Sequence, residues 1–187
     1  MPELLHIGGG PTKPEIISIS LSKLDLCMAD TFFDIGCGTG AVSIAATTIK
    51  PDLKIFAIDA REKAFEVAAQ NFENFNIENV TLVHGESAEV LQEKANVGTI
   101  DCAFVGGTKN IANILDVLYQ KKARNIVVNA VRIETVVAVM NKMKELGLFS
   151  EIVHVALSRG HPITGETMFK PENPVYIIVG KLQNGSH

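Results

Sequence analysis

From residue 31 onward, the pattern of hydrophobic and polar positions alternates between short segments typical of strands and longer segments with the period of a helix. Short apolar runs rich in β-branched and aromatic residues predict strands, and the longer stretches of helical period between them predict helices. In one such stretch Phe65, Ala68, Ala69 and Phe72 share a helix face, which we expect to pack on a sheet. The predicted strands lie near Thr31–Gly36, Lys54–Asp59, Val80–His84, Thr99–Val105, Asn125–Ala130, Ile152–Leu157 and Pro174–Gly180. The predicted helices lie at Pro14–Leu24, Ala41–Thr48, Glu62–Phe75, Ala88–Ala95, Ile111–Gln120 and Thr135–Leu146.

This order of elements predicts an α/β fold with a mostly parallel seven-stranded sheet covered by helices on both faces. No helical pattern separates the last two strands, so we expect them to pair antiparallel at one edge, because a parallel return needs a crossover helix. Such a Rossmann-like arrangement is typical of class I methyltransferases. We predict one domain, with a lead-in and helix at 1–30, a βα core at 31–148 and an antiparallel hairpin at 149–187.

Composition narrows the class of protein further. The chain has 187 residues, of which 47% are hydrophobic, enough for one core. Its apolar runs are only strand-sized, so we expect no membrane span. Cys27, Cys37 and Cys102 form no CxxC pair and the histidines are scattered, which predicts neither a disulfide framework nor a metal site. A net charge of -4 disfavours nucleic acid as a partner, and we expect a cytoplasmic protein.

The strongest motif is a strand that runs directly into three glycines and then a helix. Glycine lets the backbone turn tightly and approach a ligand closely. With Ala41 the run also fits a dinucleotide site. Asp34 favours S-adenosylmethionine instead, because a carboxylate here could face an ammonium group but would repel a pyrophosphate. The predicted cofactor contacts in this segment are Asp34, Gly36, Cys37, Gly38, Thr39 and Gly40.

Two later strand ends carry polar residues that suit a nucleoside. Asp59 ends the second strand, where an acidic group can accept ribose hydroxyls. Glu86 and Ser87 follow the third strand, where class I methyltransferases contact adenine. Each prediction has a structural alternative, since Asp59 and Glu62 could form a capping box, and Glu86 with Ser87 could simply start a helix.

The fourth strand is followed by Gly106 and Gly107. Amino-methyltransferases of DNA and RNA carry an Asn or Asp, two prolines and an aromatic residue at this point, so an exocyclic amine is disfavoured as the methyl acceptor. We expect the glycines to leave backbone amides and open space for a bulky acceptor, with Gly106 beside the cofactor.

Several segments outside the generic core carry a more specific resemblance. They are Gly10-Pro11-Thr12-Lys13, Asn129-Ala130, Glu134-Thr135, Ser158-Arg159, Thr167-Met168-Phe169 and Asn173-Pro174-Val175. Together with the glycine loop they resemble the decarboxylating cobalt-precorrin-6B C-15 methyltransferases of cobalamin biosynthesis, which also occur as the C-terminal half of precorrin-6Y methylases. The sequence departs from that pattern at Ile17, where many members have Arg.

The resemblance implies methylation of a meso carbon, C-15, of a polycarboxylate tetrapyrrole, coupled to decarboxylation of a ring acetate. It also implies S-adenosylmethionine as the methyl donor, S-adenosylhomocysteine as its product, Thr12 as a cofactor contact, a homotetramer, and a companion precorrin C-5 methyltransferase. Lys13, Lys109, Arg132 and Arg159 are the candidate anchors for the substrate carboxylates. Two alternatives stay open: a methyltransferase of RNA or another small molecule, and a cofactor-binding subunit without its own catalysis.

Overall fold

The computed structural model describes residues 3–8, 12–93 and 100–183. Its helices are α1 (Pro14–Ser22), α2 (Ala41–Ile49), α3 (Glu62–Asn74), α4 (Ser87–Glu93), α5 (Ile111–Gln120) and α6 (Ile133–Glu145), with a short 3-10 helix at Leu26–Met28. Its strands are β1 (Thr31–Ile35), β2 (Lys54–Asp59), β3 (Val80–His84), β4 (Cys102–Val105), β5 (Asn125–Ala130), β6 (Phe149–Val155), β7 (Ser158–Ile163), β8 (Glu166–Pro171) and β9 (Val175–Lys181). Parts of three predictions, at residues 10–11, 94–95 and 99, lie outside the described residues.

Seven of the strands form one sheet in the order β3-β2-β1-β4-β5-β9-β6. Strands β1 to β5 are parallel to one another, and β9 lies between β5 and β6, antiparallel to both. The predicted fold class and the antiparallel pair at one edge are therefore confirmed. The carboxyl ends of the five parallel strands meet at a single edge of the sheet.

Strands β7 and β8 form a separate two-stranded hairpin that the sequence analysis missed. All of their residues are exposed, so the segment lacks the alternation of buried and exposed positions on which strand prediction depends. The hairpin turns at Thr164 and Gly165, which both have positive φ, as the tightest hairpin turns require.

The hydrophobic core lies on both faces of the seven-stranded sheet. Phe33 and Val105 pack toward α4, α5 and α6 on one face, whereas Phe32 and Phe104 pack toward α1 and α2 on the other. Since successive strand residues point to opposite faces, strands covered on both sides are apolar throughout. This burial fixes the strand ends rigidly, and the loops that follow them carry the site. None of the helices in the described part of the chain is long and apolar enough to cross a membrane.

Candidate active site

The loop after β1 is a backbone cradle that depends on glycine. Gly36, Gly38 and Gly40 have φ of +72°, +59° and +78°, a region that other residues rarely adopt. A Cβ on Gly36 would lie 2.4 Å from the Gly107 nitrogen, and one on Gly40 would lie 2.7 Å from the ring of Phe72. The spacing of these glycines therefore has a steric cause, which the sequence pattern captured.

Cys37 contributes its backbone to this loop. The N–H groups of Gly36 and Cys37 both donate to the carbonyl of Ile58, at 2.8 and 3.0 Å. Burial raises the pKa of the Cys37 thiol well above its usual value, so the side chain is a neutral thiol at physiological pH.

Asp59 ends β2 with a carboxylate that is almost completely buried. One oxygen, Oδ2, accepts hydrogen bonds from Gly38 N at 2.8 Å and Arg61 Nη2 at 3.1 Å. The other, Oδ1, accepts from Arg61 N at 3.0 Å and Arg61 Nε at 3.1 Å. Burial alone would raise the pKa of Asp59, but the hydrogen bonds from Arg61 and Gly38 outweigh it and the pKa is lowered. The site therefore holds a buried, ionised carboxylate.

The capping-box alternative for Asp59 and Glu62 is wrong. The N-cap of α3 is Arg61, and it makes no side-chain capping bond. The sequence analysis overlooked Arg61, which binds the Asp59 carboxylate and lines two of the clefts described below. The available signal was a cation two positions after a strand-end acid.

Asp34 does not line a cavity in this structure, because its side chain has no exposed surface. Its Oδ2 accepts hydrogen bonds from the Ser43 hydroxyl at 2.6 Å and the Ser43 N–H at 3.2 Å, while Oδ1 has no partner among the described residues. Burial raises the pKa of Asp34 to about 7. The carboxyl thus supports the start of α2 from below the glycine loop.

Glu86 caps a helix, as its structural alternative predicted. Its Oε2 accepts from the N–H groups of Ala88 and Glu89 at 2.8 and 3.1 Å, and Oε1 accepts from Asn110 Nδ2 at 3.2 Å. Both Glu86 and Ser87 nevertheless line the same cleft as Asp59, so the cap also shapes a cavity wall.

The expectation for Gly106 and Gly107 was wrong in one respect. Their backbone amides are not free, because both donate to the carbonyl of Ile35, at 2.8 and 3.2 Å. The absent side chains instead let the end of β4 lie directly against Gly36. Gly106 still borders open space, since it lies in the wall of all three clefts described next.

Three adjoining clefts open at the carboxyl ends of the parallel strands. The glycine-loop cleft, about 290 Å³, lies between the N-terminal segment and the loop after β1. The Asp59 cleft, about 330 Å³, lies between the ends of β2, β3 and β4. The cationic cleft, about 440 Å³, lies between α1, the end of β5 and the start of α6. Thr12 borders both the glycine-loop cleft and the cationic cleft, so the three form one continuous site.

The four candidate anchors separate in space. Lys13 and Arg132 line the cationic cleft, whereas Lys109 lines the Asp59 cleft. Arg159 lies on β7, outside the described walls of these clefts. Arg132 forms no ion pair with any described residue. Only two of the four predicted anchors therefore meet at one cleft.

Arg159 is held by two carboxylates. Its guanidinium binds both oxygens of Glu15, each at 2.9 Å, and Glu172 Oε1 at 2.7 Å. Lys13 binds the other oxygen of Glu172 at 2.7 Å. The hydrogen bonds that Arg159 donates, first to Glu15 and then to Glu172, raise the pKa of Arg159. The four charges link α1 to the hairpin beside the cationic cleft, and we call them the rim network.

The strand order and the glycine loop define the class of protein as a class I methyltransferase, and S-adenosylmethionine-dependent methyltransferases of known structure share this fold. Residues 3–181 match the family described as the precorrin methyltransferase domain, and the chain belongs to that family.

Similar proteins cover nearly the full chain. A Methanosarcina mazei protein named "Probable cobalt-precorrin-6B C(15)-methyltransferase (decarboxylating)" is 59% identical over 98% of this chain and 100% of its own. The crystal structure of precorrin-6Y C5,15-methyltransferase from Geobacter metallireducens superposes with a TM-score of 0.87 at 29% identity, covering 96% of this chain and 95% of that one. The precorrin-8w decarboxylase of Methanobacterium thermoautotrophicum gives 0.86 at 27% identity, covering 96% and 97%. The resemblance seen in the sequence is confirmed.

Proposed function

We propose that the chain is an S-adenosylmethionine-dependent C-methyltransferase that methylates C-15 of cobalt-precorrin-6B, or of the precorrin-6Y series, and decarboxylates a ring acetate. The observation that carries this proposal is the cationic cleft. Its described lining holds Lys13 and Arg132 and no carboxylate, and it joins the glycine-loop cleft at Thr12 and Gly106. A polycarboxylate acceptor would thus meet positive charge next to the methyl donor.

The residues of the other two clefts fit S-adenosylmethionine. A glycine loop that lines a cleft suits an extended amino-acid moiety, and a buried ionised carboxylate at a strand end suits a ribose diol. S-adenosylmethionine, when bound, supplies the methyl group and leaves as S-adenosylhomocysteine. Asp34 would act through the loop and Ser43 rather than by direct contact. The residues proposed to line the cofactor site are Thr12, Gly36, Cys37, Gly38, Thr39, Gly40, Asp59, Glu86, Ser87 and Gly106, with Asp34 behind the glycine loop.

The protein's own task is mainly to position the acceptor and exclude water. A meso carbon conjugated to ring nitrogens is already nucleophilic, so no dedicated base is needed for methyl transfer. Arg132 and Lys13 would bind peripheral carboxylates of the macrocycle, and Arg159 would hold Lys13 and α1 in place through the rim network. Lys109 would supply a positive charge in the wall of the Asp59 cleft. In the decarboxylation, the C–C bond to the acetate carboxylate would break, carbon dioxide would leave, and the bonding electrons would pass into the protonated ring.

We infer further that the protein is cytoplasmic and forms a homo-oligomer, a tetramer by family resemblance, through the hairpin. Ile163, Met168 and Phe169 expose 48%, 45% and 72% of their surface there. We also infer, by family resemblance, a companion precorrin C-5 methyltransferase.

The direct test supplies purified protein with S-adenosylmethionine and cobalt-precorrin-6B, and follows the mass of the tetrapyrrole and the release of carbon dioxide. A gain of one methyl group with loss of one carboxyl group is expected. Binding of S-adenosylhomocysteine with no change in the tetrapyrrole would reject the acceptor and favour a non-catalytic subunit. Methyl transfer to labelled tRNA would favour the RNA alternative.

Arg132→Ala tests the cationic cleft. Because a charged hydrogen bond to a carboxylate is lost, we expect KM for the tetrapyrrole to rise about tenfold or more, while affinity for S-adenosylhomocysteine stays unchanged. Lys54→Ala, an exposed cation at the opposite end of β2, is the matched control. An unchanged KM would remove Arg132 from the anchors.

A further inference from the structure

Asn71 is a buried polar residue on α3 that joins three parts of the molecule. It has no exposed surface. Its Oδ1 accepts from Leu5 N at 2.9 Å, and its Nδ2 donates to Leu5 O at 3.1 Å and to Thr39 O at 2.8 Å. One side-chain amide therefore binds both backbone groups of Leu5 and a carbonyl of the glycine loop, and it uses both of its donors to do so.

These bonds connect an irregular segment to α3. Residues 3–8 form no helix or strand, and in the described part of the chain their hydrogen bonds are the two between Leu5 and Asn71. Two and three residues further on, Ile7 and Gly8 form a wall of the glycine-loop cleft. The opposite wall is the glycine loop itself, which Asn71 contacts through Thr39.

We propose that Asn71 is the positioning residue that sets the width of the glycine-loop cleft, by holding the N-terminal segment and the glycine loop at a fixed separation. The inference rests on the proposed function, because it assigns the cleft to the amino-acid part of S-adenosylmethionine. Ligand binding and order of residues 3–8 are then linked, so each favours the other.

The chemistry requires an amide at this position. A carboxylate in place of the amide would present an oxygen to the two carbonyl oxygens, which is repulsive, although the bond from Leu5 N would survive. Asn71→Asp therefore changes two of three contacts with almost no change in volume. Asn74→Asp is the matched control, because Asn74 lies on the same helix and is exposed.

Two measurements test the proposal: hydrogen exchange of residues 3–8 without any ligand, and the Kd for S-adenosylhomocysteine from calorimetry. We expect Asn71→Asp to speed exchange in residues 3–8 and to weaken binding about tenfold or more, and Asn74→Asp to do neither. Asn71→Ser, which keeps a smaller hydrogen-bonding group, replaces the Asp variant if circular dichroism shows that the latter does not fold. Unchanged exchange with unchanged Kd would overturn the proposal.

A double-mutant cycle with Ile7→Ala distinguishes the effect of Asn71 on residues 3–8 from its effect on the glycine loop. If Asn71 acts by holding Ile7 at the cleft, Asn71→Asp should weaken binding less than about threefold once Ile7 is Ala. An equal loss in both backgrounds would show that Asn71 acts only through Thr39 and would overturn the claim about the segment. If the wild-type protein binds no S-adenosylhomocysteine, the proposed function fails instead, and the exchange experiment still tests the Asn71 contacts.

Discussion

The carboxylate of Asp59 accepts four hydrogen bonds, and Arg61 donates three of them. A carboxylate offers about four acceptor sites, so ribose hydroxyls can bind there only after the Arg61 side chain withdraws. Because that side chain is 62% exposed, water can solvate the guanidinium when it leaves Asp59. Arg61 therefore competes with the proposed ligand for Asp59.

Arg61→Ala should bind S-adenosylhomocysteine more tightly, by about fivefold, because no ion pair has to be broken first. Calorimetry on the variant and on Lys63→Ala, an exposed cation on the following turn of α3, checks this. Weaker binding by Arg61→Ala would mean that the guanidinium contacts the ligand and does not compete with it.

Asp34 gives the protein a pH dependence of known sign. Burial raises the pKa of this carboxyl to about 7 in the folded state, against about 4 in an unfolded chain. Between these values the folded state keeps a proton that the unfolded state releases, so the contribution of Asp34 to stability is greatest below about pH 4, falls as pH rises, and is lost above about pH 7.

Relative to Asp34→Asn, the wild-type protein should lose about 3 kcal/mol of unfolding free energy between pH 5 and pH 8. Urea unfolding at both pH values, with Asp30→Asn as an exposed control, measures the difference. Parallel pH profiles for wild type and Asp34→Asn would show that Asp34 is ionised in the folded state.

At the scale of elements, the rim network decides how α1 meets the hairpin. The bidentate pair between Glu15 and Arg159 joins residues on α1 and β7 that are far apart in sequence. Hydrogen bonding by Arg159 lowers the pKa of Glu15, so both partners are charged at neutral pH. Arg159 therefore connects α1 to β7 and is not a free cation.

The Glu15→Gln variant distinguishes between two roles of Arg159, which either positions α1 through Glu15 or binds the substrate directly. If Arg159 positions α1 through Glu15, both Glu15→Gln and Arg159→Ala should raise KM for the tetrapyrrole by roughly threefold, with affinity for S-adenosylhomocysteine unchanged. If Arg159 instead binds substrate carboxylates directly, Glu15→Gln would free it and lower KM. Steady-state kinetics on both variants, with Glu66→Gln as an exposed control on α3, separates the two outcomes.

At the scale of the whole molecule, the hairpin is the surface through which we propose that the homo-oligomer forms. Ile163 and Met168 are exposed on one of its faces and Phe169 on the other, and among the described residues each of its strands pairs on one edge only. Exposed apolar side chains and open strand edges are typical of interfaces. The fold buries its own core without this hairpin.

If the protein assembles through the hairpin as proposed, Phe169→Asp should give a smaller species while the protomer stays folded, because the charge would be buried in the interface. Light scattering after size-exclusion chromatography measures the mass. Met28→Asp, which changes a side chain of similar exposure, 69%, in the 3-10 helix, should leave the mass unchanged. An unchanged mass for Phe169→Asp would place any interface elsewhere.

Local physics accounts for what the sequence determined by itself. Helical and strand periods depend on neighbours a few residues away, so the order of elements from β1 to β6 follows from the chain alone. The three loop glycines follow from backbone conformations that only glycine adopts readily. The prediction of Asp59 as a site residue follows from its position at a strand end. The segments that carry the family resemblance are also short and continuous in the sequence.

Only the tertiary structure decided which of these groups meet. Asn71 binds Leu5 across 66 residues, and Arg159 binds Glu15 across 144, distances at which no local pattern operates. Packing also reversed one expectation, since the amides of Gly106 and Gly107 are used within the fold, and it gave Arg159 two carboxylate partners. The exposed hairpin gains its strands from pairing and not from burial. Hydrogen-bond and charge partners depend on which side chains the folded backbone brings within about 3 Å, and that is settled only in three dimensions.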